Sequence, residues 1–291
     1  MTLYALEEDE ILIYAAEAEE RRVYRCTGCH RPVKVRRGPY RVPHFYHLSQ
    51  SPTCRLYSKS QDHLLAQLAL QKILPAAQTI LEKPFPEILR VADVVWEPYK
   101  LIFEIQCSLL TPHEAKQRMR DYQKVGYQIV WILDDRVFNR RILRPAEKLI
   151  RQTPCYYATL RKQMFPIFYD QFEIFHNERR IRRGQCFKVE LKFPGRLPVF
   201  TWEEKRWPRQ IIQKTALTNL FFHGDLIHKA LLSDTVPALR FAIENFRALE
   251  ILTLSQHQQK EKWKLLKKIV RFCFLEPLGL LMRHLLEKAA R

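Results

Sequence analysis

Long apolar runs are missing from this chain of 291 residues. None approaches the roughly 20 consecutive apolar residues that a spanning helix needs, so membrane insertion is not expected. The opening stretch, "MTLYALEEDEILIYAAEAEE", contains no Lys or Arg and so lacks the basic flank of a secretory signal. Cysteine is sparse, and its count of 7 is odd and irregularly spread, which argues against a secreted disulfide framework. A reducing, cytoplasmic setting is expected. Internal repeats and low-complexity segments are absent as well.

What is present is a core-forming composition, 47% hydrophobic and 27% charged, in a length that suits two or three modules. The formal net charge of +18 is unevenly placed. Residues 21–60 have no Asp or Glu, residues 61–135 are close to neutral, and residues 136–215 are again rich in Lys and Arg. Two basic flanks around a neutral middle read as a polyanion footprint, because Lys and Arg release counterions condensed on a phosphate backbone. The plainer alternative is a basic surface with no specific partner.

The element pattern places the candidate residues. Residues 3–25 read as short strands around an acidic turn. "HLLAQLALQKIL", from His63, has apolar residues at helical spacing and is ended by Pro75. "TILEKPF" (79–85) reads as an edge strand limited by Pro84. "LRVADVVW" and "YKLIFEIQC" read as a strand pair. The next helix, "TPHEAKQRMRDYQKVG", has Thr111 as N-cap, Pro112 at its first position, Glu114 completing a capping box and Gly126 to close it. "YQIVWIL" (127–133) reads as a buried central strand. Residues 165–202 look strand-rich around a basic turn, "HNERRIRRG", and residues 210–291 look helical. In that last region Trp263, Leu266, Ile269, Val270 and Cys273 share one helix face and most of the lysines the other, which is more often a solvated surface than a binding site.

The strand pair carries the chemical question. With a two-residue turn at Pro98–Tyr99, paired positions put Asp93 opposite Glu104, Val91 opposite Gln106 and Val95 opposite Ile102. Alternation then puts Asp93, Glu104 and Gln106 on one face, with Phe103, Ile105 and Cys107 towards a core. Opposed side chains have Cβ atoms about 4.5–5.5 Å apart, and like charges there destabilise a sheet. Three readings meet that constraint: a hard divalent cation between the acids, a solvent-facing side of the hairpin, or a proton shared by the carboxyls.

A second constellation precedes it. "CTGC" (Cys26, Cys29) and "HFYH" (His44, His47) make a Cys2His2 zinc site plausible, with Cys54 an alternative to one histidine. Zinc would staple a module too small for a large core. The other reading is a reduced cysteine pair and two surface histidines in a basic loop. Arg31, Lys34, Arg36, Arg37 and Arg41 lie in or beside this stretch and suit a phosphate backbone gripped without sequence readout.

An Asp in one strand, Glu-x-Gln in the next and a helix after it resemble the PD-(D/E)xK nuclease signature. "CTGCH…HFYH…SQDH…RVADV…FEIQCS…R…Y…GYQIVWIL" resembles more closely the competence protein CoiA family, well over residues 20 to about 135. The resemblance implies a restriction-endonuclease-like mixed-sheet α/β core, a small zinc-binding-type module ahead of it at residues 1–60, a nuclease domain at 61–150, and a basic, largely helical C-terminal region at 151–291. It implies a Mg²⁺- or Mn²⁺-dependent deoxyribonuclease acting on DNA (single-stranded, duplex or branched) in transformation or recombination, with recombination proteins as expected partners. Asp93 and Glu104 match the metal-binding acids, and Glu82 stands at the position of an extra ligand or, on the other reading, is a solvated edge residue. Gln106 occupies the usual lysine position, which leaves the water-activating group open. Arg118 and Tyr122, four apart on the following helix, resemble an exonuclease-type element, with Arg118 suited to a phosphate oxygen and Tyr122 equally suited to packing. His63 faces metal, substrate or solvent. The alternative is a catalytically silent DNA-binding recombination accessory protein. A third reading is an RNA-binding protein with structural carboxylates.

Overall fold

The computed structural model describes residues 1–279 apart from 8, 50, 52, 53, 55, 57, 58, 161–164 and 198–206. Five short strands open the chain: β1 (Tyr4–Leu6), β2 (Leu12–Tyr14), β3 (Tyr24–Cys26), β4 (Pro32–Gly38) and β5 (Arg41–His47). They form one antiparallel sheet in the order β2-β1-β3-β4-β5. Its core is small: Ala5, Tyr24, Val33, Val35, Phe45 and Leu56 are among the few buried side chains, with Tyr24 edge-on to Phe45. Val91 of the second sheet packs onto this cluster, so the module sits directly on the larger domain.

That domain begins with α1 (Gln61–Ile73), whose N-cap Ser60 accepts the His63 N–H at 3.2 Å. It continues through β6 (Thr79–Phe85), β7 (Arg90–Trp96), β8 (Leu101–Gln106), α2 (Pro112–Lys124), β9 (Gln128–Asp134), α3 (Asp135–Phe138), α4 (Pro145–Ile150), β10 (Cys155–Thr159), β11 (Ile167–His176) and β12 (Arg179–Lys188). The seven strands make a mixed sheet in the order β12-β11-β10-β9-β8-β7-β6. β8, β9 and β10 run parallel and the other pairs antiparallel. The expected edge strand is indeed at one edge, and the apolar run at 128–134 is in the middle with Trp131 fully buried. Both faces are covered, as parallel strands require. Phe103 and Ile105 pack with Leu64 and Leu70 of α1, whereas Ile102 packs with Ala115 and Tyr122 of α2.

Three details differ from the sequence reading. The sheet runs past residue 150, through β10 to β12, because "CYYAT" is parallel to the central strand and supplies a further paired edge. The basic turn is only Asn177–Glu178, both at positive φ, and the arginines after it belong to β12. The hairpin turn is a short 3₁₀ turn at Glu97–Tyr99 closed by Lys100 at φ 51, with the Lys100 N–H on Glu97 O at 3.0 Å. The pairing is nevertheless the expected one, Val94 with Phe103, Val95 with Ile102 and Trp96 with Leu101.

The C-terminal part adds β13 (Glu190–Arg196) paired with β14 (Leu220–His223), then α5 (Arg209–Leu217), α6 (Leu226–Leu232) and the long α7 (Pro237–Val270). Phe222 of β14 joins the main core beside Phe103 and Tyr156. α7 packs through Ile243, Phe246 and Leu254, and no described residue beyond Leu254 is buried. No helix among the described residues is long and apolar enough to cross a membrane.

Candidate active site and metal centre

The backbone pairing of β7 and β8 ends at Val94–Phe103, and the next residues on the two strands are Asp93 and Glu104. Neither faces solvent: they are 4% and 3% exposed. Burying two carboxylates is costly unless donors and cations surround them. Here the local sequence brings such groups from four directions. Asp93 Oδ2 accepts the Ile105 N–H at 2.9 Å, and Asp93 Oδ1 lies 2.9 Å from His63 Nε2 and 2.8 Å from Lys59 Nζ. The Gln67 amide, one turn along α1 from His63, donates to the Asp93 carbonyl at 2.9 Å. Tyr122 donates to Glu104 Oε1 at 2.6 Å, and Arg118 Nη1 donates to Glu104 Oε2 at 2.9 Å. The i, i+4 spacing of Arg118 and Tyr122 thus delivers both groups to one carboxylate.

α2 is set in place by its start. Thr111 accepts the Glu114 N–H at 3.1 Å, while the Glu114 carboxylate, expected to complete a capping box, instead receives Arg118 Nε at 2.9 Å and Arg90 Nη1 at 2.7 Å. Arg90 also donates to Asp121 Oδ2 at 3.0 Å. Gly126, at φ 79, occupies the left-handed position after the helix that favours glycine.

The two acids are electrostatically unequal. Burial would raise the Asp93 pKa, but His63 and Lys59 overcome it and hold the carboxyl well below the usual range. Glu104 is pushed up, by burial and by Asp93 itself, against the pull of Arg118 and Tyr122. Lys59 stays firmly protonated: burial opposes its charge, and Asp93 and Glu82 more than restore it. The cluster opens onto a pocket of about 140 Å³ lined by Lys59, His63, Arg90, Asp93, Glu104 and Arg118 among others.

Glu82 and Gln106 occupy the same neighbourhood without facing the pocket in the same way. Glu82, at φ 49 in β6, uses Oε2 to accept the Leu3 and Tyr4 N–H groups at 2.9 and 3.3 Å and Oε1 to accept from Lys59 at 3.0 Å. It meets Asp93 through that lysine. Gln106 is buried, and its amide donates to the Ser108 carbonyl at 2.7 Å. Sequence reasoning missed Lys59 altogether. It is a single lysine in a loop ahead of a helix, with no spacing to mark it, and only the fold brings it across 34 positions to Asp93.

In the first module Cys26, Cys29, His47 and Cys54 place their ligand atoms within 4.8 Å of one another. Cys26 Sγ is 3.7 Å from Cys54 Sγ, and Cys29 Sγ is 3.2 Å from His47 Nε2. All four cysteine and histidine side chains are of types that ligate a soft or borderline metal ion, and the three thiols are free. Burial pushes the Cys26 thiol up to about 12. His44, expected in this set, is not part of it. Its neighbour Phe45 points into the module core, and His44 itself, 1% exposed, turns Nδ1 onto the Val42 carbonyl at 2.7 Å. The loop after β5 returns Cys54 to the cluster in its place.

The basic residues lie where β4 and β5 meet. Arg31 precedes β4, Lys34, Arg36 and Arg37 are on it, and Arg41 begins β5. Arg36 lies over the Tyr46 ring at 4.5 Å, and Arg37 reaches the Ala15 and Ala18 carbonyls, so Arg37 also ties the hairpin to its own module.

Fold and site define a two-module α/β protein: a Cys/His cluster on a small sheet, docked beside a pocket where the larger mixed sheet buries two carboxylates among basic groups. The family model described as competence protein CoiA, nuclease-like domain, matches residues 59–182, and that described as competence protein CoiA, N-terminal domain, matches residues 12–57. The chain belongs to the competence protein CoiA family. No curated protein and no solved structure matches it.

Proposed function

We propose that this chain is a metal-dependent deoxyribonuclease that hydrolyses DNA phosphodiesters in transformation or recombination. The observation that carries the reading is the convergence of Asp93, Glu104, Arg118 and Tyr122 on one pocket, although they come from three separate elements. The donors fit Mg²⁺ or Mn²⁺: two hard carboxylates lie close enough for Asp93 to raise the Glu104 pKa, which is the strain a shared cation relieves. Asp93 and Glu104 would hold the cation, with Glu82 behind Lys59 rather than in direct reach. When bound, the cation neutralises charge on the scissile phosphate and lowers the pKa of a water.

The protein's own residues do the rest. Tyr122 holds one oxygen of Glu104, and His63 and the Ile105 N–H hold Asp93, so both acids are oriented before substrate arrives. Arg118 is a quarter exposed and is the guanidinium best placed to turn from Glu104 to a phosphate oxygen. Arg31, Lys34, Arg36, Arg37 and Arg41 supply non-specific affinity for the backbone. Cys26, Cys29, His47 and Cys54 hold a structural zinc that stabilises the module carrying them.

The second reading, a silent DNA-binding accessory protein that works with recombination proteins, draws on the Gln106 amide being spent on Ser108. Single-stranded, duplex and branched DNA incubated with Mg²⁺, Mn²⁺ or EDTA separates the two. Cleavage of at least one substrate that EDTA abolishes is expected. Tight binding with no cleavage of any substrate would leave the accessory role.

A further inference from the structure

The motif position that usually holds lysine is Gln106, and the fold commits its side chain to Ser108. Yet an amine is present. Among the described residues lining the pocket, Lys59 is the one lysine, and it enters from the segment ahead of α1 rather than from β8. Its Nζ is 2.8 Å from Asp93 Oδ1 and 3.0 Å from Glu82 Oε1, and its side chain is 8% exposed. These two contacts use two of the three N–H donors of an ammonium.

We propose that Lys59 supplies the cationic amine that Gln106 cannot, using its remaining N–H to orient the attacking water beside Asp93. This rests on the nuclease reading above. In the hydrolysis, a lone pair of the water oxygen forms a bond to phosphorus while the bond from phosphorus to the leaving sugar oxygen breaks. The water gives one proton to solvent, the leaving oxygen takes one from solvent, and Lys59 keeps its own three.

The surroundings suit that role better than a passive ion pair. Arg118 and Arg90 are planar forks, each already shared between two carboxylates, whereas an ammonium re-aims its donors by rotating about one bond. The Lys59 Nζ is also held from the side of the small module. Glu82, turned by its left-handed backbone and held by the Leu3 and Tyr4 N–H groups, fixes the Nζ. The small module therefore sets the position of an active-site amine belonging to the larger one.

The test uses the full chain and compares Lys59→Ala, Gln106→Ala and the pair Lys59→Met/Glu82→Gln, which removes one charge of each sign and guards against misfolding from an unpaired buried acid. The readouts are cleavage with Mn²⁺, DNA binding in metal-free buffer, Mn²⁺ binding by electron paramagnetic resonance, and rescue by methylammonium. Both Lys59 variants should lose about 100-fold or more in cleavage, the scale of removing one positioned donor. DNA binding should stay within about threefold, and Mn²⁺ should bind no more weakly, since a neighbouring positive charge has gone. Methylammonium should restore part of the rate in Lys59→Ala, and Gln106→Ala should cleave within about threefold of wild type, in line with an amide already donated to Ser108. Undiminished cleavage by Lys59→Ala, loss of its Mn²⁺ binding, or failure of amine rescue would overturn the assignment while wild-type cleavage keeps the nuclease reading. A wild type inactive on every DNA would remove both.

Discussion

At the scale of single residues, the two buried acids are the feature that needs an explanation, and each is held by a different logic. Asp93 is held by the Lys59 ammonium, the His63 imidazole and the Ile105 N–H, whereas Glu104 is held by one cation and one phenol. Tyr122→Phe removes only the 2.6 Å hydrogen bond to Glu104 Oε1. A bond to a charged group is worth about 1.5–3 kcal/mol, so urea denaturation should show a loss of that size, with little change in DNA binding. A variant as stable as wild type would mean that Glu104 is neutral or finds another donor. The register of the β7–β8 hairpin was legible in the sequence because strand alternation and a tight turn leave little freedom in it. Lys59 was not legible, since a lysine four residues before His63 carries no period or spacing that ties it to Asp93. The failure at His44 has a similar cause. His-x-x-His spacing suggests a pair, but in an extended strand the positions three apart point to opposite faces, so only His47 reaches the cluster.

At the scale of elements, the fold follows the pattern where pattern is strong. The helix from Pro112 starts at the expected threonine cap, and "YQIVWIL" is the central strand because a continuous apolar run needs cover on both faces. Less was visible beyond residue 150. "CYYAT" is too short to declare itself and is a strand because the exposed edge of β9 is there to receive it. The β4–β5 hairpin is the element on which the charge argument rests. Replacing Arg31, Lys34, Arg36 and Arg41 by Gln should weaken binding to all DNA sequences alike. It should also make the slope of log affinity against log salt shallower, by up to about 0.9 for each phosphate that the protein ceases to neutralise. An unchanged slope would move the DNA-binding surface elsewhere, to β12 and its arginines in the first instance. Arg37 is left in place because it also binds the module's own carbonyls.

At the scale of the whole molecule, the two modules are mechanically one at the pocket. The Leu3 and Tyr4 N–H groups of the first module bind Glu82 of the second, and Val91 packs into the first module's core. With so small a core, that module is where the proposed zinc would contribute most to stability. Purified protein should contain about one zinc per chain, retained in His44→Ala and lost in Cys54→Ala, and the Cys54 variant should unfold at a temperature several degrees lower. Equal zinc in both variants would show that Cys54 is not a ligand.

The account's central claim is that Asp93 and Glu104 form a nuclease active site rather than a buried structural pair. Its most direct test is the Mn²⁺-dependent cleavage rate of Asp93→Ala and Glu104→Ala beside wild type, each variant first shown to be folded by circular dichroism. Both substitutions should abolish cleavage, by about 1,000-fold or more, while DNA binding without metal is retained. Cleavage that persists near the wild-type rate in both variants would contradict the claim.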